Sequence, residues 1–495
     1  MSGEPLIDGP TWGFYGRRKE LDELRDLFER PRWFLLRVSG RRRIGKTALV
    51  RRALAEAGRD RVAYVQIDDT DAAGVVASAR RHLAMSGVPE EQLPVDLLTL
   101  AARIADLAAE GWVVVLDEFQ YFHRKALSAF PSFLQFEVDR FRLGERPASG
   151  GVVLLGSIHT EMVALLEDRR APLFGRATRA LDLDHLDVDA IVRILDVHAD
   201  RAPERLLFLW TLFQGIPKYW QDAWETGVLG ADRPTTLERL FFDSSAPLRT
   251  EGSGWLVDEL RGRYDLFLRF IASHPGCSRA DIVAHATSVK GYGDAQPGFY
   301  LGALEERFRI VERRDPVFSP HKTRRGRYYL SDNFLQAWLG ALADPVAFVG
   351  IRETPGLVAE ADARLAVAEG TALERLTAAL YAYRSRHGLG DFALTDFVHG
   401  WWDRTGTEID LVAVDAQSRR VRLVSCKRSA DRLVADLGRF EGHIARFLAG
   451  MPRFAGWTVE KVAVAPRLEP QHRRAAGSAG YLPQDLVDLT MGLGA

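Results

Sequence analysis

Three features of the 495-residue sequence predict an α/β protein built on a parallel sheet and followed by two smaller units. Short apolar runs alternate with helical patterns of about 10–15 residues over the first third, the signature of parallel strands joined by crossover helices. A glycine-bounded segment, Gly40-Arg41-Arg42-Arg43-Ile44-Gly45-Lys46-Thr47, separates the first apolar run from the next helix. From Tyr264 the pattern changes to three helices and two short strands, and near Asp362 a long helix opens a last α/β stretch. The expected organisation is a sheet domain over 1–190, a helical lid over 191–250, a helical unit with a two-stranded wing over 251–345, and a small α/β domain over 346–495. At ~100–200 residues per domain, three or four domains also suit the length.

In chain order, 21–29 reads as a charged amphipathic helix, 33–39 (WFLLRVS) as a strand and 48–57 as a helix. Residues 62–67 form the second expected strand, 77–85 and 97–110 two helices, 112–116 a third strand and 152–155 a fourth. The period is helical over 188–224, broken at Gly215-Ile216-Pro217. Helices follow at 265–273, at 278–285 behind a capping-box-like Ser278 and Asp281, and at 299–307. Strands at 309–311 and 327–330 flank a basic turn, and three helices ahead of a two-stranded wing is the order of a winged helix. The last stretch reads as a helix over 362–384, strands over 408–414 and 420–426, a helix over 433–448 and a strand over 461–465.

Composition narrows the function classes. With 47% hydrophobic and 27% charged residues the chain is ordinary globular, which excludes disordered and collagenous classes. The only cysteines, Cys277 and Cys426, are far apart, which excludes a disulfide scaffold. No apolar run approaches the ~18–20 residues that cross a bilayer. Residues 1–10 carry acids and prolines where a secretion signal has a basic patch and an apolar core, so a cytoplasmic location without a membrane partner is expected. Sixty-six basic residues against 67 acidic ones give a net charge of −1, so any nucleic-acid contact must come from local patches. Only eight of the basic residues are lysines, which singles out Lys46 and Lys427 inside the motifs below.

The 40–47 segment fits G-x4-G-K-[ST] in strand–loop–helix context. Its glycines let backbone N–H groups of Gly40, Arg41, Arg42, Arg43, Ile44, Gly45, Lys46, Thr47 and Ala48 curl around a phosphate. Lys46 places a compact charge on the β/γ oxygens, and the Thr47 hydroxyl ligates Mg²⁺ at the positive end of a helix. The strand Trp112-Val113-Val114-Val115-Leu116 delivers Asp117 to its C-terminal end as a second Mg²⁺ partner. Glu118 beside it is placed to orient and deprotonate an attacking water. No Asn-Lys-x-Asp guanine-reading segment occurs, so the expected nucleotide is ATP. Ser157 reads either as a γ-phosphate sensor or as a turn serine. Arg176 reads either as a residue that stabilises transition-state charge on a neighbouring subunit or as an ion-paired surface arginine. His123, His159 and His399 lack metal-ligand spacing.

Together these segments resemble the archaeal-type P-loop ATPase family of prokaryotes, near the AAA+ and signal-transduction ATPases. The resemblance includes Phe14-Tyr15-Gly16-Arg17-Arg18-Lys19-Glu20-Leu21, the 40–47 loop and Leu116-Asp117-Glu118-Phe119-Gln120. It continues through Leu155-Gly156-Ser157, Pro172-Leu173-Phe174-Gly175-Arg176, Gly215-Ile216-Pro217-Lys218-Tyr219 and Arg327-Tyr328-Tyr329-Leu330-Ser331-Asp332-Asn333-Phe334. It implies ATP binding and hydrolysis, a winged helix after the P-loop domain, and a restriction-endonuclease-like tail.

Nucleases of the PD-(D/E)XK type need a helix glutamate, a strand aspartate and an acid-x-Lys on the next strand around Mg²⁺. Glu374, Asp410 and Lys427 match that order, but Ser425 stands where the pattern wants an acid. Glu408, two residues before Asp410 and so on the same strand face, is a displaced substitute. An active nuclease, a binding or structural relic, and coincidental strand carboxylates stand as alternatives. In the wing, Lys322, Arg324, Arg325 and Arg327 suit phosphate contacts, whereas the helix at 299–307 is apolar and acidic, a poor groove reader. DNA and another protein both stand as partner classes.

Overall fold

The computed structural model describes residues 11–157, 159–252, 263–288, 296–319, 323, 325–396 and 398–494. The wing residues Lys322 and Arg324 lie outside the described residues. The chain divides into two compact units, one of Arg17–His185 with Ile216–Lys218, the other of Met1–Gly16, Leu186–Gly215 and Tyr219–Ala495.

In the first unit, β1 (Phe34–Gly40), β2 (Val62–Gln66), β3 (Val113–Asp117), β4 (Gly151–Gly156) and β5 (Arg179–Leu183) form one parallel sheet in the order β2-β3-β4-β1-β5. The side chains of β3 and β4 are buried almost throughout, because a parallel sheet carries crossover helices on both faces and so reads as unbroken valine and leucine. Leu35, Val65, Leu116 and Leu154 of the strands share a core with Leu100 and Ile104 of the Leu97–Ala109 helix. The Ala72–Met85 helix starts five residues before the expected position because the Asp71 side chain caps it, accepting from the Gly74 N–H at 2.9 Å. The edge strand β5 had no apolar run to betray it: only Leu183 of its five residues is buried.

In the second unit, the Thr354–Arg386 helix packs against the Pro203–Phe213 and Arg233–Leu237 helices. Arg233 fixes that packing with bonds to Asp362 (2.6 and 2.9 Å) and Glu369. This helix begins eight residues earlier than expected, since Pro355 is compatible with a first turn and Leu357, Val358 and Ala361 are buried. The helices Arg263–Ser273, Arg279–Ser288 and Gln296–Gly302 accompany a three-stranded antiparallel sheet in the order β6-β8-β7, formed by β6 (Cys277–Ser278), β7 (Val311–Arg314) and β8 (Arg327–Leu330). The expected Ser278–Asp281 capping contacts are present, Ser278 N–H donating to the Asp281 carboxylate at 2.8 Å and Asp281 N–H to the Ser278 hydroxyl at 3.2 Å.

The same unit holds a second five-stranded sheet, ordered β13-β12-β11-β10-β9. Its strands are β9 (His399–Trp402), β10 (Glu408–Asp415), β11 (Arg420–Cys426), β12 (Thr458–Ala465) and β13 (Leu482–Asp485), antiparallel from β9 to β11 and parallel from β11 to β13. The Ala430–Gly450 helix lays Leu433, Leu437, Ile444 and Phe447 over it. No helix among the described residues is long and apolar enough to cross a membrane.

Candidate nucleotide site

The turn after β1 is shaped by residues with left-handed backbone. Gly40 has φ 152°, and a Cβ there would lie 2.6 Å from the Leu183 carbonyl oxygen, so no other residue lets β1 leave the sheet beside β5. Arg43 (φ 66°) and Gly45 (φ 92°) curl the chain back, and Gly45 caps the Lys46–Glu56 helix without a side chain. The N–H groups of that helix's first turn are thereby directed at any anion held in the loop. Ile44 is buried and pins the turn, and its carbonyl accepts from Arg17 Nη2 at 3.3 Å, while the same guanidinium also bonds the Asp184 carbonyl. Ala48, on the next position of the helix, is exposed.

Lys46 is buried, its ammonium donating to the carbonyls of Gly40 (2.8 Å) and Arg41 (3.0 Å). Burial pushes its pKa down to about 8, against the opposing pull of the Glu118 and Asp117 carboxylates. The Thr47 hydroxyl donates to Asp117 Oδ2 at 2.8 Å, joining the helix start to the end of β3. Asp117 Oδ1 accepts the Glu118 N–H at 2.9 Å. Burial raises the Asp117 pKa, and these two donors oppose the rise. Glu118 has left-handed backbone (φ 58°), and its Oε2 accepts from the Ser157 hydroxyl at 2.7 Å and from the Gln120 amide. The Gln120 carbonyl oxygen in turn accepts the Ser157 N–H at 3.1 Å.

The loop Gly40–Ala48, Asp117, Glu118 and Ser157 therefore converge at the C-terminal edge of the sheet. Arg176 does not join them within this chain: it makes a two-pronged pair with Asp139 at 2.8 and 2.9 Å. Gln120 and Arg17 stand inside the segments that carry the family resemblance, Leu116–Gln120 and Phe14–Leu21, but no role was read for either from the sequence. Thr47 and Asp117 present hard oxygen donors side by side, which fits Mg²⁺, an ion that takes one or two protein oxygens and completes its shell with phosphate oxygens and water.

The C-terminal acids meet differently. Asp410 Oδ2 accepts from Lys427 Nζ at 2.9 Å, the Cys426 N–H at 2.7 Å and the Ser425 hydroxyl at 3.4 Å. Glu408 is paired with Arg327 of β8 at 2.5 Å, and that guanidinium also lies over the Trp402 ring, 4.6 Å from its centroid. Glu374 is pushed up to about 8, first by burial and then by the charges of Asp410 and Glu408. Among the described residues no group of three or more His, Cys, Asp or Glu side chains is arranged to hold a metal ion. Of the wing cations, Arg325 bonds Ser319 (2.9 Å) and its carbonyl accepts the Trp402 indole N–H (2.7 Å), so the two described ones are tied within the chain.

A parallel sheet in this order, with a G-x4-G-K-T loop between its β1 strand and the following helix, matches the fold of a P-loop NTPase. Among solved structures, the chain is similar to the Walker-type ATPase PABY2304 of Pyrococcus abyssi, at 18% identity and a TM-score of 0.50, over 66% of this chain and 96% of that one. It is also similar to the ORC2 protein of Aeropyrum pernix in its ADPNP–ADP complexes, at 15% identity and a TM-score of 0.47, over 73% and 98%. In sequence it is 21% identical over 449 residues to the uncharacterized protein MJECL04 of Methanocaldococcus jannaschii, covering 86% of this chain and 91% of that protein. No family model matches the chain.

Proposed function

We propose that the chain binds ATP with Mg²⁺, hydrolyses it, and couples its nucleotide state to a winged-helix and nuclease-like C-terminal part that contacts DNA or another protein. The bond between Thr47 and Asp117, with Glu118 next to it and close enough to act on Lys46, carries this reading. Lys46 exchanges its two carbonyl partners for β/γ-phosphate oxygens, and Thr47 and Asp117 hold Mg²⁺, which neutralises charge on the phosphates. Glu118 accepts the proton of the attacking water on its carboxylate, and Ser157 orients it. Arg176 serves a neighbouring subunit's nucleotide only by leaving Asp139. The test is turnover and nucleotide binding of two variants. Lys46→Ala abolishes binding, whereas Glu118→Gln keeps binding and slows turnover ~30- to 150-fold, the equivalent of ~2–3 kcal/mol. Unchanged turnover in Glu118→Gln refutes the assignment.

For the tail, the pairing of Glu408, the displaced substitute acid, with Arg327 favours an interaction module over a nuclease. A mobility shift on double-stranded DNA over a salt series tests the DNA arm, since phosphate contacts weaken steeply with salt.

A further inference from the structure

We propose that Gln120 is a positioning residue for the hydrolytic carboxylate of Glu118, an inference that rests on the ATPase reading above. Three side chains close a ring across the ends of β3 and β4: the Gln120 amide and the Ser157 hydroxyl both donate to Glu118 Oε2, and the Gln120 carbonyl accepts the Ser157 N–H. The amide orientation is dictated by its partners. Turned over, its oxygen would face a carboxylate and its NH₂ would face an N–H, two repulsive contacts in place of two bonds. Gln120 is only 1% exposed and sits between Phe119 and Phe122, both fully buried, so its side chain has no competing solvent and a fixed base.

The ring answers a backbone cost. Glu118 holds φ 58°, a conformation that a non-glycine residue adopts only when its surroundings impose it. That turn, together with two donors on Oε2, leaves Oε1 as the acceptor for the water proton. Gln120 touches neither nucleotide nor water in this scheme and acts through Glu118 alone.

Gln120→Ala removes one donor to a carboxylate, a bond whose loss corresponds to roughly 10- to 100-fold. The expected result is that fall in kcat with nucleotide KM unchanged. Gln120→Glu keeps the shape and the acceptor for the Ser157 N–H but replaces the amide donor by a second carboxylate against Glu118, so its kcat is expected to fall at least as far as that of Gln120→Ala, again with nucleotide KM unchanged. A merely structural role moves KM, melting temperature and kcat together. Turnover of Gln120→Ala within about two-fold of wild type overturns the inference. If Gln120→Ala does not fold, the kcat-against-KM split of Gln120→Glu decides, and wild-type kcat there overturns the inference. Glu118→Gln measured alongside separates the two failures: wild-type turnover there removes the ATPase reading itself, whereas slow turnover with an unaffected Gln120→Ala removes only this inference.

Discussion

The nucleotide grip of Lys46 should be lost as the solution turns alkaline, in a window fixed by its burial. The side chain is 7% exposed and burial holds its pKa near 8, where a solvated lysine would titrate at 10.5. Phosphate oxygens in contact with the ammonium favour its charged form, so the pKa in the complex is higher than in the free protein. The sign follows: affinity is fully present below the free-protein pKa and falls as pH rises through it. At pH 8 about half of the free protein carries the neutral amine, a two-fold loss; at pH 9 about nine-tenths does, a loss of about ten-fold or ~1.4 kcal/mol. Titration with a fluorescent ATP analogue between pH 7.5 and 9.5 reads this directly, clear of phosphate ionisation near 6. Calorimetry in buffers of different ionisation enthalpy should register proton uptake at pH 9. Lys46→Arg is the control, because a guanidinium keeps its charge throughout and abolishes the slope whatever its affinity. A flat wild-type profile, or the same slope in Lys46→Arg, refutes the reasoning.

Gly40→Ala should destabilise the first unit by about 2–4 kcal/mol in chemical denaturation, since its Cβ meets a backbone carbonyl at 2.6 Å and its φ disfavours any side chain. Arg327→Ala should speed amide exchange in β8, β9 and β10, at a cost of about 1–2 kcal/mol after solvent screening of the half-exposed Glu408, and leave nucleotide binding unchanged. Plasmid incubated with the protein, ATP and Mg²⁺ or Mn²⁺ should stay uncut; cleavage abolished by Asp410→Ala would sink the interaction-module reading.

What could be read ahead of the structure follows from how local each signal is. β1, β3 and β4 of the first sheet were legible because both their faces are buried and their apolar runs are continuous, and the edge strand β2 because it keeps a short apolar run in which Ala63 and Val65 are buried; β5 was not, because an edge strand with charged residues looks like a loop. In the second sheet β10 and β11 were read closely, whereas β9 is four residues long and β13 contains Pro483, so neither offers a period. The loop, Asp117 and Glu118 were legible because spacing along one strand–loop–helix unit fixes their meeting. Gln120 with Ser157, and Arg327 with Glu408, were not, because those pairs close over 37 and 81 positions of chain and depend on which strands become neighbours.

Two of the eight lysines in this arginine-rich chain, Lys46 and Lys427, show why one acid–lysine cluster is poised for an anion and the other is spent. Desolvation disfavours the charge of both, at Lys46 with 7% exposure and at Lys427 with 31% of its side chain exposed. At Lys427 that penalty is outweighed by Asp410 in direct contact at 2.9 Å, and its pKa rises above the ordinary lysine value. At Lys46 the ammonium touches only carbonyl dipoles while Asp117 and Glu118 act from further off, and its pKa falls to about 8. An ammonium whose charge is under-compensated gains from an incoming phosphate, while one already neutralised gains little and must first surrender its carboxylate. The same residue type therefore serves as a receptor in the first unit and as a strut in the second. The difference is set by one feature, a carboxylate at hydrogen-bond distance: Asp410 supplies it to Lys427, whereas Asp117 bonds the Thr47 hydroxyl and the Glu118 N–H and acts on Lys46 only from further off.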